Sequence, residues 1–262
     1  MRAVDKITEY EIYVSTKKEP VKVRLLFLSD LHDQIPQIAI DKVMSRIYSY
    51  GPDLICVGGD MVVSKKINLD TSLVVFLKEL AKFYPVYYAN GNHEQAWKRK
   101  KADCYRAYKE QLQASGICFL ENKGCILNIR KKQIGLYGLE LERLYFKRGK
   151  KRNLSKEVIE ECLGDIDQSL DYSILLAHSP RYFDAYRKWG ADLTLAGHYH
   201  GGLIRCGQRG LLSPYLTLFP AYCYGLYENK DKKMIVSGGM GDHYPNPRWG
   251  NQKEMVGLTL YL

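Results

Sequence analysis

The chain has 262 residues, enough to bury a sizeable core and of a size that often folds as one α/β unit. Its 39 Lys+Arg against 29 Asp+Glu give a formal charge of +10, which favours anionic partners such as phosphates, nucleic acid or acidic lipid surfaces without choosing among them. Seven scattered cysteines with no Cys-x-x-Cys indicate neither a disulfide framework nor a structural zinc site, and reduced thiols in the cytosol are the simpler expectation.

From Met1 to Pro20, charges at Arg2, Asp5, Lys6, Glu9, Glu11, Lys17, Lys18 and Glu19 interrupt the hydrophobic core that a secretory signal needs. Ile7 to Val14 alternates as an opening strand, and Val23 to Leu28 reads as a fully buried one. Further strands are expected at Leu54 to Val57, Val86 to Ala89, Ile117 to Leu120, Ile126 to Ile129, Gln133 to Leu139, Tyr172 to Ala177 and Leu193 to Ala196. Helical spacing covers Ile38 to Tyr50, Ser72 to Phe83, Ala102 to Ser115 and Lys156 to Leu163. Short β segments close the chain at Leu203 to Cys206, Ala221 to Tyr227, Met234 to Ser237 and Val256 to Tyr261. The longest weakly charged stretch, Leu211 to Tyr227, contains Pro214, Pro220 and Gly225 and is too short to span a bilayer, so no membrane span is expected. The expectation is one domain over 1–262 carrying a basic insertion near 141–155, in the cytoplasm or peripheral to the inner face of its membrane.

Five of the six histidines sit in short motifs, each at the end of an apolar run: Asp30-Leu31-His32, Gly59-Asp60, Gly91-Asn92-His93-Glu94, Ala177-His178-Ser179 and Gly197-His198-Tyr199-His200-Gly201. A single histidine on an apolar strand is ordinarily a satisfied core residue, but that reading does not produce five polar motifs past five strand ends. In open α/β sheets that edge carries ligands, because its loops bear the chemistry and the strands fix their positions. Imidazoles combined with carboxylates suit Mn, Fe or Zn, whereas an all-oxygen set would indicate Mg or Ca. Asp30 and His32, two positions apart, project the same way if extended and can hold one ion.

The motif order resembles the calcineurin-like metallophosphoesterases from about Val23 to the C-terminus. The resemblance implies a four-layer α/β/β/α sandwich with two mixed sheets face to face. It also implies two divalent ions: Asp30, His32 and His200 on the first, Asn92, His178 and His198 on the second, Asp60 bridging both. The expected reaction is attack by a hydroxide shared between ions roughly 3.5–4 Å apart. His93 points toward the leaving-group oxygen in that family, suiting an imidazole to proton transfer near neutral pH, with Glu94 as support. Many relatives read Gly-Asp-x-x-Asp, and the last position here is Val63, followed by Ser64, which leaves the partner of His93 open.

The layout Gly197 to Ile204, then Gly225-Leu226-Tyr227, Val236 to Gly239 and Arg248 to Glu254, is similar to a bacterial membrane-associated branch that includes UDP-2,3-diacylglucosamine hydrolases. Members of that branch often begin with a hydrophobic anchor, and none is expected from this sequence. Arg205 and Arg248 are candidate phosphate-binding residues, since a planar guanidinium suits phosphate. Two basic runs, Lys98 to Lys101 and Arg143 to Arg152, the second beside Tyr145 and Phe146, could meet anionic headgroups or a nucleic-acid strand. The sequence thus points to a phosphodiesterase or pyrophosphatase acting on a lipid-linked or nucleotide-like substrate. A nuclease acting on DNA or RNA, and a scaffold of the same fold without catalysis, are the alternatives.

Overall fold

Two apolar runs, Lys22–Leu28 (β2) and Leu54–Val57 (β3), are largely buried on both faces, as in strands covered from either side. The computed structural model of the protein describes residues 4, 6–14, 19–63, 71–147, 152–207, 209–213, 218–242 and 248–262. β2 and β3 form the centre of a six-stranded sheet with β1 (Ile7–Tyr13), β4 (Val86–Tyr88), β5 (Cys118–Phe119) and β14 (Met255–Tyr261), in the order β1-β14-β2-β3-β4-β5. β2 to β5 are parallel, and β14 runs antiparallel to β2. The second six-stranded sheet contains β6 (Lys123–Ile129), β7 (Lys132–Leu139), β8 (Tyr172–Ala177), β9 (Leu193–Ala196), β12 (Gly225–Asn229) and β13 (Lys232–Val236), in the order β12-β13-β9-β8-β7-β6. Its four central strands are parallel and its two edge strands antiparallel. A separate hairpin joins β10 (Ile204–Cys206) to β11 (Arg209–Leu212).

Strand alternation divides the core into layers. Val23, Leu25 and Phe27 of β2 face inward and meet Ile134, Leu136, Ile174 and Leu176 of the second sheet. The opposite face of β2, Leu26 and Leu28, packs on helices α1 (Ile40–Tyr50), α2 (Ser72–Phe83) and α4 (Ala102–Gln113). Tyr137, Leu139, Leu175 and Ala177 turn outward onto α5 (Lys156–Leu163) and α6 (Phe183–Trp189). The result is the expected four-layer α/β/β/α sandwich. α1 buries Ile40, Val43, Met44, Ile47 and Tyr50 along one stripe, and Gly51 at φ 63° stops it in the left-handed conformation. No helix of the described residues is long and apolar enough to cross a membrane.

Several elements depart from the sequence expectation, among them β11, for which no strand was expected. Asn92–Lys100 is a helix, α3, where a motif loop and a basic run were expected. Glu94 in its first turn accepts the Gly91 N–H at 3.0 Å, half of a capping box since glycine has no side chain to return the bond, and Lys98, Arg99 and Lys100 occupy the last turn, where cations complement the helix dipole. Phe183–Trp189 is helical after Pro180 and ends at Gly190. The strand expected over Ala221 to Tyr227 starts only at Gly225, because the Cys223 and Tyr224 N–H groups donate to the Tyr227 hydroxyl rather than to a neighbouring strand. Of the basic insertion, Arg143–Phe146 forms a 3-10 turn, while residues 148–151 lie outside the described residues, as does Ser64.

Candidate metal centre

The C-terminal ends of β2, β3, β4, β8 and β9 open onto one edge of the sandwich, and each is followed by one of the five polar motifs. Backbone bonds lace the first two loops together: Gly58 N–H to Leu28 O at 2.8 Å, Asp30 N–H to Gly59 O at 3.0 Å, His32 N–H to Asp60 O at 3.1 Å. A Cβ on Gly59 would run into the Gly91 backbone, and one on Gly91 into Asp60, so both positions require glycine for the loops to close. Asp30, His32, Asp60, His198 and His200 all have φ between 50° and 72°. Non-glycine residues avoid this region at a cost of order 1–2 kcal/mol each, and such strain concentrates at functional sites.

The side chains converge in two groups, each with its ligand atoms within 4.8 Å of one another: Asp30, His32 and His200, and Asp60, His178 and His198. All six residues are buried. His32 Nε2 lies 3.0 Å from His200 Nε2, which lies 3.5 Å from Asp30 Oδ1. His178 Nε2 is 3.0 Å from Asp60 Oδ2 and 3.7 Å from Asp30 Oδ1, so one imidazole spans both carboxylates. Asn92, at the start of α3, carries a buried Oδ1 with no hydrogen-bond partner among the described residues. The fold therefore brings Asp30, His32, Asp60, His178, His198 and His200 together in two groups.

Two buried carboxylates side by side demand positive charge. Burial pushes the Asp30 carboxyl up to about 6, against the pull of His178. Burial acts on Asp60 too, but His178 and then His93 outweigh it and hold that carboxyl well below the usual range. Burial alone would keep the His178 imidazole neutral, yet Asp60 and Asp30 raise it to about 10. The donor set, two carboxylates, four imidazoles and an unsatisfied amide oxygen, fits two borderline divalent ions.

His93 sits on the rim with its side chain 22% exposed, its Nε2 3.9 Å from Asp60 Oδ2 and its ring edge-on to His32 at 5.0 Å. Its backbone N–H donates to Asp60 Oδ1 at 2.8 Å. Glu94 turns inward. Its buried carboxylate accepts the N–H groups of Asp60 and Met61 at 2.8 Å and the Tyr88 hydroxyl at 2.9 Å. Val63 is bound through its carbonyl, which accepts the Trp97 indole N–H of α3 at 3.2 Å.

Arg248 is largely buried and donates to the Gly238 carbonyl at 2.7 Å, to the Gly241 carbonyl and to His200 Nδ1 at 2.9 Å. Arg205 lies over the Tyr224 ring at 3.4 Å and donates to Gly250 O. Both guanidinium groups are thus engaged within the protein, Arg248 by two carbonyls and the His200 ring, Arg205 by the Tyr224 ring and the Gly250 carbonyl. Asn251, named in the sequence only within the Arg248 to Glu254 layout, donates its amide to the carbonyls of His200 and Gly202 and clamps that loop, and Phe146, named only beside the basic run, meets His198 edge-on at 5.2 Å. Neither was expected at the metal centre.

Among known proteins, this chain is similar over 231 residues to the phosphodiesterase YaeI of Escherichia coli, at 26% identity, covering 87% of this chain and 78% of that one. It is similar at 26% identity to a metallophosphoesterase of Campylobacter jejuni, Cj0846, covering 97% of this chain but spanning only 63% of the relative's length. Among solved structures, the NAD nucleotidase NadN of Haemophilus influenzae superposes at a TM-score of 0.49 and 16% identity, over 85% of this chain and 46% of that one. The family model for calcineurin-like phosphoesterases matches residues 23–202, which hold every candidate metal ligand and more than half of the chain, and the chain belongs to that family.

Proposed function

We propose that this chain hydrolyses a phosphodiester or pyrophosphate bond at a centre of two divalent ions, one held by Asp30, His32 and His200, the other by Asn92, His178 and His198, with Asp60 shared. The observation that carries this reading is the meeting of two buried ligand groups beside the unpartnered amide oxygen of Asn92. Two ions of the Mn, Fe or Zn type, when bound, supply Lewis acidity toward a phosphoryl oxygen and bring the pKa of a coordinated water toward neutrality.

The chain's own residues divide the remaining work. His93, on the solvent rim beside Asp60, donates a proton from its ring to the departing oxygen. Asp60 fixes that ring's backbone through the His93 N–H. Glu94 holds the Asp60 loop, Asn251 the His200 loop, and Arg248 orients the His200 ring. Phe146 covers His198 and keeps water from that side.

The layout after His198 supports a place in the bacterial membrane-associated branch, and the likeness to a phosphodiesterase of Escherichia coli supports a diester or pyrophosphate over a simple monoester. The charge of +10 suits a lipid-linked or nucleotide-like anion and peripheral contact with acidic headgroups. The test is a panel of phosphodiesters, nucleotides and lipid pyrophosphates assayed with added Mn. Turnover that disappears with chelator and returns with Mn supports the reading; no turnover of any member with any of Mn, Fe or Zn overturns it.

A further inference from the structure

One face of α3 leads away from the candidate metal centre. Asn92, Gln95 and Arg99 follow one another at helical spacing and line a cleft of about 270 Å³, whose other wall is Arg143, Phe146 and Lys147. The cleft begins at a metal-ligand candidate and is roofed by Phe146, whose ring touches His198. Three cationic side chains border it, and no carboxylate does.

These cations differ from their neighbours. Lys98, one residue before Arg99, is bound by Glu140 at 2.9 Å and Glu121 at 3.2 Å, and Lys109 by Glu121 at 3.0 Å. Arg99, Arg143 and Lys147 have no carboxylate partner among the described residues. Lys147 is fixed instead through its backbone, whose carbonyl accepts from Arg181 at 3.2 Å. The next hollow along, about 420 Å³, shares Gln95, Arg99 and Arg143 but adds Lys98, Glu140 and Glu142, so two carboxylates offset its cations, whereas none offsets those of the cleft beside Asn92. Cationic side chains without carboxylate partners around a small cleft suit the oxygens of a phosphate, the planar guanidinium groups above all.

We infer that Arg99, Arg143 and Lys147 form a binding subsite for a second phosphate, so that the substrate is a small diphosphate or polyphosphate ester rather than a single isolated phosphodiester. This rests on the hydrolase reading above for which bond is cut, but not for what the cleft binds. The scissile phosphate occupies the metal end, and the additional phosphate lies along α3 against the three cations.

The test uses the full chain and two readouts. In the first, kcat/KM is measured with Mn on bis(p-nitrophenyl) phosphate and bis(p-nitrophenyl) diphosphate for wild type, the double variant Arg99→Gln/Arg143→Gln and the charge-keeping Arg99→Lys/Arg143→Lys. The glutamine variant should lose roughly tenfold or more on the diphosphate beyond any loss on the monophosphate ester, with the lysine variant recovering most of it. Equal losses on the two esters overturn the subsite. In the second readout, chelator-treated protein is titrated calorimetrically with sodium pyrophosphate and with inorganic phosphate. Wild type should bind pyrophosphate the tighter, and the glutamine variant should bind it at least roughly tenfold more weakly. If wild type cleaves neither ester, the hydrolase reading fails while this titration still decides the subsite. Pyrophosphate bound equally by wild type and variant, or a single-stranded oligonucleotide that displaces it and is weakened more by the double substitution, overturns the inference.

Discussion

Glu94 and Asp60 are 34 positions apart in sequence, yet the Glu94 carboxylate accepts the Asp60 N–H at 2.8 Å and so fixes the backbone from which a candidate bridging ligand projects. The same carboxylate takes the N–H groups of Met61 and Gly91 and the hydroxyl of Tyr88. Asp60 is held in the left-handed region, at φ 53°, by this anchoring and by the glycine contacts around it.

Replacing Glu94 therefore tests whether the loop depends on it. Glu94→Ala leaves several buried donors without an acceptor, each worth about 1–3 kcal/mol, so stability to urea should fall by at least about 3 kcal/mol. Glu94→Gln keeps one oxygen and should lose less. A Glu94→Ala protein within about 1 kcal/mol of wild type would mean that the loop holds itself.

The proton-donor role of His93 predicts a leaving-group effect. His93→Ala should lower kcat by roughly 10²-fold or more on esters with poorly acidic alcohols while retaining bound metal. The deficit should shrink on p-nitrophenyl esters, whose leaving group departs without a proton. Loss of the same size across leaving groups of widely different pKa would contradict proton donation.

At the opposite end of the sandwich, Asp53 joins the two sheets by a two-pronged pair with Arg130 at 2.5 and 2.8 Å and by the Arg24 N–H at 2.8 Å. Burial pushes its carboxyl up, but the Arg130 and Arg24 bonds outweigh burial and leave it lowered. A lowered folded-state value means stability that is full above the unfolded carboxyl pKa, about 3.9, and is lost as pH falls through the folded value. Asp53→Asn should cost on the order of 1 kcal/mol at neutral pH and less in acid, given the exposure of the pair. Chemical denaturation at pH 7 and pH 3 measures both, and an equal cost at the two values would argue against the ion pair.

The five motifs were legible because metal ligation demands particular side chains, and the apolar runs ahead of them were legible because strands buried on both faces tolerate little else. The four-layer arrangement followed from the resemblance and is borne out by the alternation of β2, with Val23, Leu25 and Phe27 facing the other sheet and Leu26 and Leu28 facing the helices. Helix α3 was hidden because Gly91-Asn92-His93-Glu94 reads as a loop motif and Lys98 to Lys101 as a solvated run, although Glu94 three residues after Gly91 was a capping signal. The left-handed backbone of five ligands was not read, since Asp and His visit that region more often than most residues but still only occasionally. Nor could the bond from Arg248 to His200, which depends on a 48-residue separation closing in space.

The central claim is that both ligand groups hold metal and that Asp60 belongs to each. Elemental analysis of purified protein, wild type and Asp60→Asn, tests it without reference to any substrate. The account predicts close to two divalent ions per chain for wild type and a clear loss for Asp60→Asn, with turnover lost in parallel. An Asp60→Asn protein that still carries two ions per chain would contradict it.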